Sequence, residues 1–449
     1  MLKSYFELEK HQTTWFTEIF AGITTFLTMA YILFVQPAVL SNTPSGEPSG
    51  LDAGAVLLAT CLASAAATLL MGLWARYPIG LAPGMGQNFF FAGMVAALAS
   101  AGIENAWQTG LAIVFVAGIL FVLVSLFGVR QWLIEAMSPS QRATIAVGIG
   151  FFIALIGLKH SGLLQAEPYA IGLDTGNLYS VEVGTFCVAF VVTIFCYVRG
   201  IPGSVLAGIV AATIFAAGMG AITFPESSLV SFPEIETPAA FQLDLIGVFS
   251  AVCLPYIIIL LFMDFFDTTG TLVAVAERAG LMNEEGELER SRPAMMSDAL
   301  GTVFGAALGT STVTSYIESA TGVEQGGRTG MTAVVIAICF LLALPFSPII
   351  AMVANFPPIT AAALVFVGSL MAQAVRNIDW EDVSESIPAF LVIVGIPFTF
   401  SIADGLAWGF ISYPLAKIFA GKFKETHWFS YLLGILFVAY FLFLRSGQA

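Results

Sequence analysis

Apolar runs of about 20 residues recur from one end of this chain to the other, separated by short polar or Gly- and Pro-bearing breaks. Each is long enough to cross a hydrocarbon core of about 30 Å as a helix. Fourteen can be drawn, in two sets of seven. The first set is 16–40, 53–75, 80–98, 109–128, 143–163, 181–198 and 202–219; the second is 246–265, 294–308, 316–325, 331–354, 359–373, 387–401 and 406–419. A last apolar run, 428–444, either crosses again or lies in the interface. Backbone amides in lipid must be paired internally, which leaves helices or a closed barrel, and runs of this length exclude the barrel. The pattern predicts an all-α polytopic membrane protein with fourteen transmembrane segments.

Composition agrees: 58% of residues are hydrophobic and only 10% charged, with a mean hydropathy of +0.90. A soluble chain would be nearer a quarter charged. The net charge of −14 sits mostly in loops such as 226–236 and 284–289, and no basic stripe points to nucleic acid. The segment 1–15 is polar and mixed in charge, and the run after it is too long for a signal-peptide core and is the first span.

Lysine and arginine placement gives a direction. With residues 1–15 in the cytoplasm, Lys3, Lys10, Arg76, Arg130, Arg142, Arg199, Arg278, Arg290, Arg292, Arg328, Arg376, Lys417, Lys422 and Lys424 fall inside. Lys159 alone falls outside, and Arg445 is undecided. That bias supports the spans and a cytoplasmic N-terminus in a cell (plasma or inner) membrane.

The two sets also look alike. Seven is odd, so the second must run opposite to the first, the mark of an inverted-repeat transporter. The third span of each set is short and broken: Pro78 to Gly86 is rich in Pro and Gly, and Ser311 to Tyr316 is rich in Thr, Ser and Val. Both favour extended backbone before a half-helix, predicting short strands in spans 3 and 10. Paired broken helices point to a binding site at mid-membrane, where freed amides meet polar ligand groups.

Carboxylates cluster opposite those breaks. Charged side chains at bilayer depth are costly and face a cavity, a partner or a proton path. Asp264 and Asp267 are three apart, on one helical face, with Asp267 next to the small residues Thr268-Thr-Gly270. Glu318 starts the half-helix of span 10, Glu324 follows it, and Asp298 stands in another apolar run. A carboxylate accepts N–H bonds and can also take a proton, which fits a neutral N–H-bearing ring carried with H⁺. Asn88 offers a donor and an acceptor to a heterocycle edge, or caps its half-helix. Phe89 could stack on a flat ring. Asn88, Asp267, Glu318, Phe89 and Thr268 are therefore the candidate substrate contacts, and Asp298, Asp264 and Glu324 the candidates for proton coupling or site support. For Glu318 and Glu324 the alternative is an ion pair with Arg328 or a cap on the broken helix.

Other chemistries find no support. No phosphate loop is present, so ATP-driven transport is not expected. The five cysteines lie inside apolar runs and the histidines at 11, 160 and 427 are scattered, so neither a metal site, a cofactor nor an intramembrane enzyme is expected. A channel remains the non-carrier alternative, distinguished by flux that neither saturates nor follows a proton gradient.

Several stretches resemble the azaguanine-type guanine/hypoxanthine/adenine permeases, a branch of the nucleobase–ascorbate (nucleobase–cation symporter-2) superfamily. They are Thr28-Met-Ala-Tyr-Ile-Leu-Phe-Val-Gln-Pro37, Ala82-Pro-Gly-Met-Gly-Gln-Asn88, Ile153-Ala-Leu-Ile-Gly-Leu-Lys159, Asp264-Phe-Phe-Asp-Thr-Thr-Gly-Thr-Leu272, Ser297-Asp-Ala-Leu-Gly-Thr302 and Thr314-Ser-Tyr-Ile-Glu-Ser-Ala-Thr-Gly-Val323. The resemblance runs from about residue 16 to 420, in order. It implies 7+7 inverted repeats divided into a core domain (16–128, spans 1–4; 246–354, spans 8–11) and a gate domain (129–222, spans 5–7; 355–420, spans 12–14), with 421–449 as a C-terminal apolar segment. It implies proton symport of purine bases by movement of core against gate, with frequent dimerisation. By motif position Asn88, Asp267 and Glu318 match substrate-binding residues, and Asp298 one tied to coupling. Two positions depart from the family pattern: Gln36-Pro37 stands where Val-Asn-Pro is usual, and Gln87-Asn88-Phe-Phe-Phe91 where a small apolar residue, Asn and Ala-Tyr-Phe are usual. The same fold also carries xanthine, uracil and small anions, the alternative cargoes.

Overall fold

A computed structural model describes residues 5–44, 46–127, 137–167, 170–173, 178–225, 228–250, 252–282, 288–424 and 426–441. Lys3, Arg130, Glu226, Glu284, Leu444 and Arg445, used above to place loops and ends, lie outside those residues.

The first span divides in two, α1 (Trp15–Met29) and α2 (Ile32–Leu40), then α3 (Ala53–Leu70) returns and ends in a wide turn, Met71–Ala75. Arg76 closes that turn with φ +59. A short strand β1 (Leu81–Pro83) leads into α4 (Met85–Ser100), followed by α5 (Ala106–Phe127) and α6 (Pro139–His160). A hairpin, β2 (Leu164–Glu167) and β3 (Ala170–Leu173), connects to α7 (Val181–Val198) and α8 (Ser204–Gly218). The second half runs α9 (Cys253–Ala279), α10 (Ser291–Leu308), β4 (Val313–Ser315), α11 (Ser319–Glu324), α12 (Gly330–Ala343), α13 (Ser347–Ala354), α14 (Pro358–Met371), α15 (Val383–Thr399), α16 (Ile402–Phe419) and α17 (Trp428–Tyr440).

Local chemistry explains the ends. Asp52 caps α3 through Ala55 N at 2.7 Å. Ser138 and Gln141 form a reciprocal capping box on α6, with Pro139 in its first turn. Two predicted spans differ. Expected from 246, the eighth starts at Cys253, because Asp244 Oδ1 accepts from Gly247 N at 2.8 Å and holds Gly247–Phe249 in a 3₁₀ turn. The eleventh, expected unbroken over 331–354, divides into α12 and α13 around Pro345, which has no N–H to continue the ladder and whose ring crowds the preceding turn. The run 428–444 forms α17, which packs on α16 and also reaches α9; Phe437 stacks on Phe410 at 5.3 Å, and Phe429 meets Phe262 at 5.4 Å.

The helices pack in two groups. One has α10 against α5 and α3, and α12 against α1 and α3; the other has α14 against α6 and α7, α15 against α6 and α16, and α8 against α7. Large apolar side chains such as Phe16, Val198, Ile214 and Phe398 point outward and are mostly exposed, as expected of a surface solvated by lipid.

β1 and β4 pair antiparallel, Leu81 opposite Ser315 and Pro83 opposite Val313. Gly84 N donates to Thr312 O and Tyr316 N to Gly80 O, each at 3.0 Å. Side chains complete the pairing: Thr68 Oγ1 donates to Leu81 O at 3.0 Å and accepts from Leu81 N at 2.9 Å, Gly80 N donates to Ser319 Oγ at 3.0 Å, and Thr302 Oγ1 lies 3.1 Å from Val313 O. Extended backbone at this depth is tolerated because its groups are satisfied within the protein.

Two further polar sites brace the frame. Glu18, fully buried in α1, accepts from Arg328 N (3.0 Å), Thr329 N (3.3 Å), Thr332 N (3.2 Å) and Thr332 Oγ1 (2.6 Å), so it caps α12 from another helix. In the second group Lys417 Nζ lies 2.7 Å from Glu385, and Lys422 Nζ 2.7 Å from Asp382, which also caps α15 through Ser384 N at 2.9 Å. Lys422 and Ser384 hold the Asp382 carboxyl well below its ordinary value of 3.8.

Replacing Glu18 with Ala removes the acceptor of Arg328 N, Thr329 N and the Thr332 hydroxyl, while Thr332 N keeps Thr329 O at 3.1 Å; the expected loss is about 2 kcal/mol, read as a lower melting temperature in detergent. Because the folded pKa of Asp382 is depressed, its contribution is complete above its unfolded value of 3.8 and declines as pH falls below it. Asp382→Asn should therefore destabilise at pH 7 and flatten the acid limb of a melting-temperature-against-pH curve.

Candidate substrate site

A cavity of about 970 Å³ lies between the two helix groups and reaches the β1–β4 crossing. Its deep wall is Gly84–Gln87 from the start of α4, Asp267 from the middle of the 27-residue α9, Thr314–Glu318 from β4 and the turn after it, and Tyr31 from the break between α1 and α2. Its outer wall includes Pro139 and Arg142 at the start of α6, Glu277 near the end of α9, and Asn377. These outer residues belong to helix ends on the side where α1 begins, so the cavity opens on the side of the N-terminus.

Each deep side chain has a positional reason. β1 delivers the chain to mid-depth, where Gly84 starts α4 without a side-chain cap. Gln87, in the first turn, folds back over Gly84, and a Cβ there would lie 2.2 Å from Gln87 Oε1. Glycine at 84 leaves the room for this placement of the Gln87 side chain. Gln87 Nε2 donates to Asp267 Oδ2 at 3.0 Å. Asp267 is solvent-accessible through the cavity, although it lies at bilayer depth. Glu318 precedes α11 and accepts from Tyr31 Oη at 2.8 Å; Tyr316 Oη donates to Pro83 O at 2.5 Å. Phe262 and Phe266 stack on each other at 5.8 Å and flank the cavity, while Arg142 lies over Phe266 at 5.4 Å. Arg142 is the only Lys or Arg among the described residues lining this space.

Asp267 and Glu318 share one cavity. The other candidates occupy different places. Thr268 is buried behind Asp267, donating to Asp298 Oδ1 at 2.5 Å and lying 3.2 Å from Thr314 Oγ1. Asp298 also accepts from Ser315 Oγ at 2.6 Å, tying α10 to β4 from behind the wall. Asp264, one turn before Asp267, is buried and accepts from Thr302 Oγ1 at 2.7 Å; its Oδ1 has no partner among the described residues. Asn88 is fully buried and accepts from Ser311 Oγ, which in turn accepts from Gln36 Nε2 at 3.0 Å. The cavity wall at this turn is made by Gly84 to Gln87, not by Asn88. Phe89 packs edge-on against Phe152 at 6.4 Å, with only 3% of its surface exposed. Glu324 is a correction: its side chain is 62% exposed at the end of α11 and pairs with Arg278 at 3.3 Å, because six helical residues carry it out of the site to the surface. Arg328, the alternative partner, spends its guanidinium on Val323 O and Gly327 O instead.

Tyr31 and Gln87 also line the cavity, beyond the candidate contacts read from the sequence. Tyr31 stands inside a motif noted above, but nothing in a run of apolar residues signals that the helix breaks there. Gln87 was visible as a polar residue where an apolar one is usual.

The sequence of residues 16–407 matches the profile of the Permease family (Xan_ur_permease). The chain belongs to this family. It is 42% identical to the guanine/hypoxanthine permease PbuG of Bacillus subtilis, over 99% of this chain and 100% of that one. It is 38% identical to the adenine permease AdeP of Escherichia coli, over 99% and 97%. Among solved structures it resembles the transmembrane domain of a cyanobacterial bicarbonate transporter, BicA, with a TM-score of 0.61 at 18% identity, covering 88% of this chain and 96% of that one. It also resembles SLC26A9, with a TM-score of 0.65 at 11% identity over 90% and 65%. These structural likenesses carry the fold: two inverted sets of seven spans, arranged as core and gate. The permease is a multi-pass membrane protein and a transporter rather than an enzyme.

Thr302→Val in the permease keeps shape and removes the hydroxyl that Asp264 accepts from, leaving a buried carboxyl without a donor. The expected cost is about 1–3 kcal/mol, measured as a lower midpoint of thermal unfolding.

Proposed function

We propose that this permease imports purine nucleobases (guanine, hypoxanthine or adenine) together with protons. The observation that carries the reading is that Asp267 and Glu318 face one cavity at the β1–β4 crossing, with no Lys or Arg at that depth among the described residues. Two carboxyl groups accept the ring N–H groups of a neutral purine, and a carboxyl can also hold the co-transported proton. The ring faces of Phe262 and Phe266 offer apolar contact to a flat base. PbuG and AdeP, similar over nearly the whole chain, are named for guanine/hypoxanthine and adenine. A small anion fits less well, since two carboxylates repel it at the deep wall and the Arg142 guanidinium stands at the outer end.

Transport proceeds by alternating access. The helix groups meet at the cavity, and their relative movement carries the base from one side to the other. With residues 5–15 in the cytoplasm, as the lysine and arginine bias favours, the cavity opening on the N-terminal side is the inward-facing state in the cell membrane.

Uptake of labelled hypoxanthine, guanine, adenine, xanthine and uracil into cells tests this, with and without a protonophore. Saturable purine uptake that collapses with the proton gradient is expected. Glu318→Gln should lower it at least 100-fold with the protein still present in the membrane. Unchanged uptake in that variant would remove Glu318 from the site, and uptake indifferent to the protonophore would remove the proton.

A further inference from the structure

We propose that Gln87 sets which purine the site prefers, by holding one oxygen of Asp267 so that the carboxylate offers the ligand only one uncommitted oxygen. The inference rests on the purine reading above and deepens it. Gln87 lines the cavity with only 3% of its surface exposed, and its Nε2 donates to Asp267 Oδ2 at 3.0 Å. Asp267 lines the same cavity, and no hydrogen bond from the described residues reaches its Oδ1.

The carboxamide is tied at its nitrogen by Asp267 Oδ2, and its oxygen lies against Gly84, where a Cβ would come within 2.2 Å. The fold therefore presents Asp267 and Gln87 as one composite surface.

The chemistry of that surface differs from that of a bare carboxylate. A free carboxylate takes two parallel N–H groups as a bidentate acceptor. Guanine carries such a pair, its ring N1–H and its exocyclic 2-amino group; hypoxanthine is the same ring system without the 2-amino group. With Oδ2 already accepting from Gln87, Asp267 offers its uncommitted oxygen to one N–H of either base. The 2-amino group must share Oδ2 with the carboxamide, a weakened bond that only offsets the cost of taking that amino group out of water. The remaining N–H of the Gln87 carboxamide can donate to a ring carbonyl, which both bases carry. The site accordingly gives no advantage to guanine over hypoxanthine. Freeing Oδ2 creates that advantage.

The test is displacement of labelled hypoxanthine from the purified full-length protein in nanodiscs by unlabelled hypoxanthine and guanine. The unmodified protein should bind guanine no more tightly than hypoxanthine. Gln87→Leu, close in volume, should move the affinity ratio toward guanine by about tenfold or more, the scale of one charge-assisted hydrogen bond. Gly84→Ala, which cannot leave the carboxamide where it is, should move the ratio the same way while Gln87 is still present, and it serves if Gln87→Leu fails to fold. An unchanged ratio in the variants that still bind both bases overturns the role of Gln87 and leaves the purine reading standing. If the unmodified protein binds neither base, both fall together.

Discussion

The pairing of two extended segments at mid-membrane is the constraint on which the site depends. A helix satisfies its own backbone; β1 and β4 cannot. Their groups are met partly by each other and partly by Thr68, Thr302, Ser319 and Tyr316, which reach in from flanking helices and the turn beyond β4. In return the two half-helices α4 and α11 start inside the protein rather than at its surface. Gln87 and Glu318 thereby stand beside a helix start at the depth of Asp267.

Behind this wall the carboxylates divide their tasks by what they touch. Asp267 and Glu318 each spend one described hydrogen bond and keep a face toward the cavity. Asp298 accepts from hydroxyls of α9 and β4, and Asp264 from a hydroxyl of α10. Any change in charge at Asp298 would therefore be felt by Thr268, next to Asp267, and by Ser315, on the strand leading to Glu318. Hydroxyl donors suit this place because they can rotate to follow a carboxyl group as it gains or loses a proton.

Polar groups elsewhere carry the frame. Glu18 caps a helix 310 positions away in sequence, and Lys417 bridges Glu385 and Asp382 within the second helix group. Buried charge of this kind is tolerated only where several donors converge. At Glu18 the positive partner is a helix N-terminus rather than a lysine.

Hydropathy and punctuation alone determined the class, the approximate spans, the inverted pairing of the two sets and the presence of strands in spans 3 and 10. Length of an apolar run and the conformational limits of Pro and Gly are local properties, legible without a fold. The carboxylates Asp267 and Glu318 were legible for a similar reason, since charge within an apolar run is conspicuous. Tertiary structure alone decided which side chains reach the cavity. Whether Gln87 or its neighbour Asn88 faces it depends on the turn at which α4 begins, and a helix rotates its side chains by about 100° per residue. Glu324 and Glu318 look equivalent in sequence, yet six helical residues separate a cavity from a surface. Tyr31 and Glu18 meet partners 287 and more than 300 positions away, and no local pattern encodes contacts that packing alone creates.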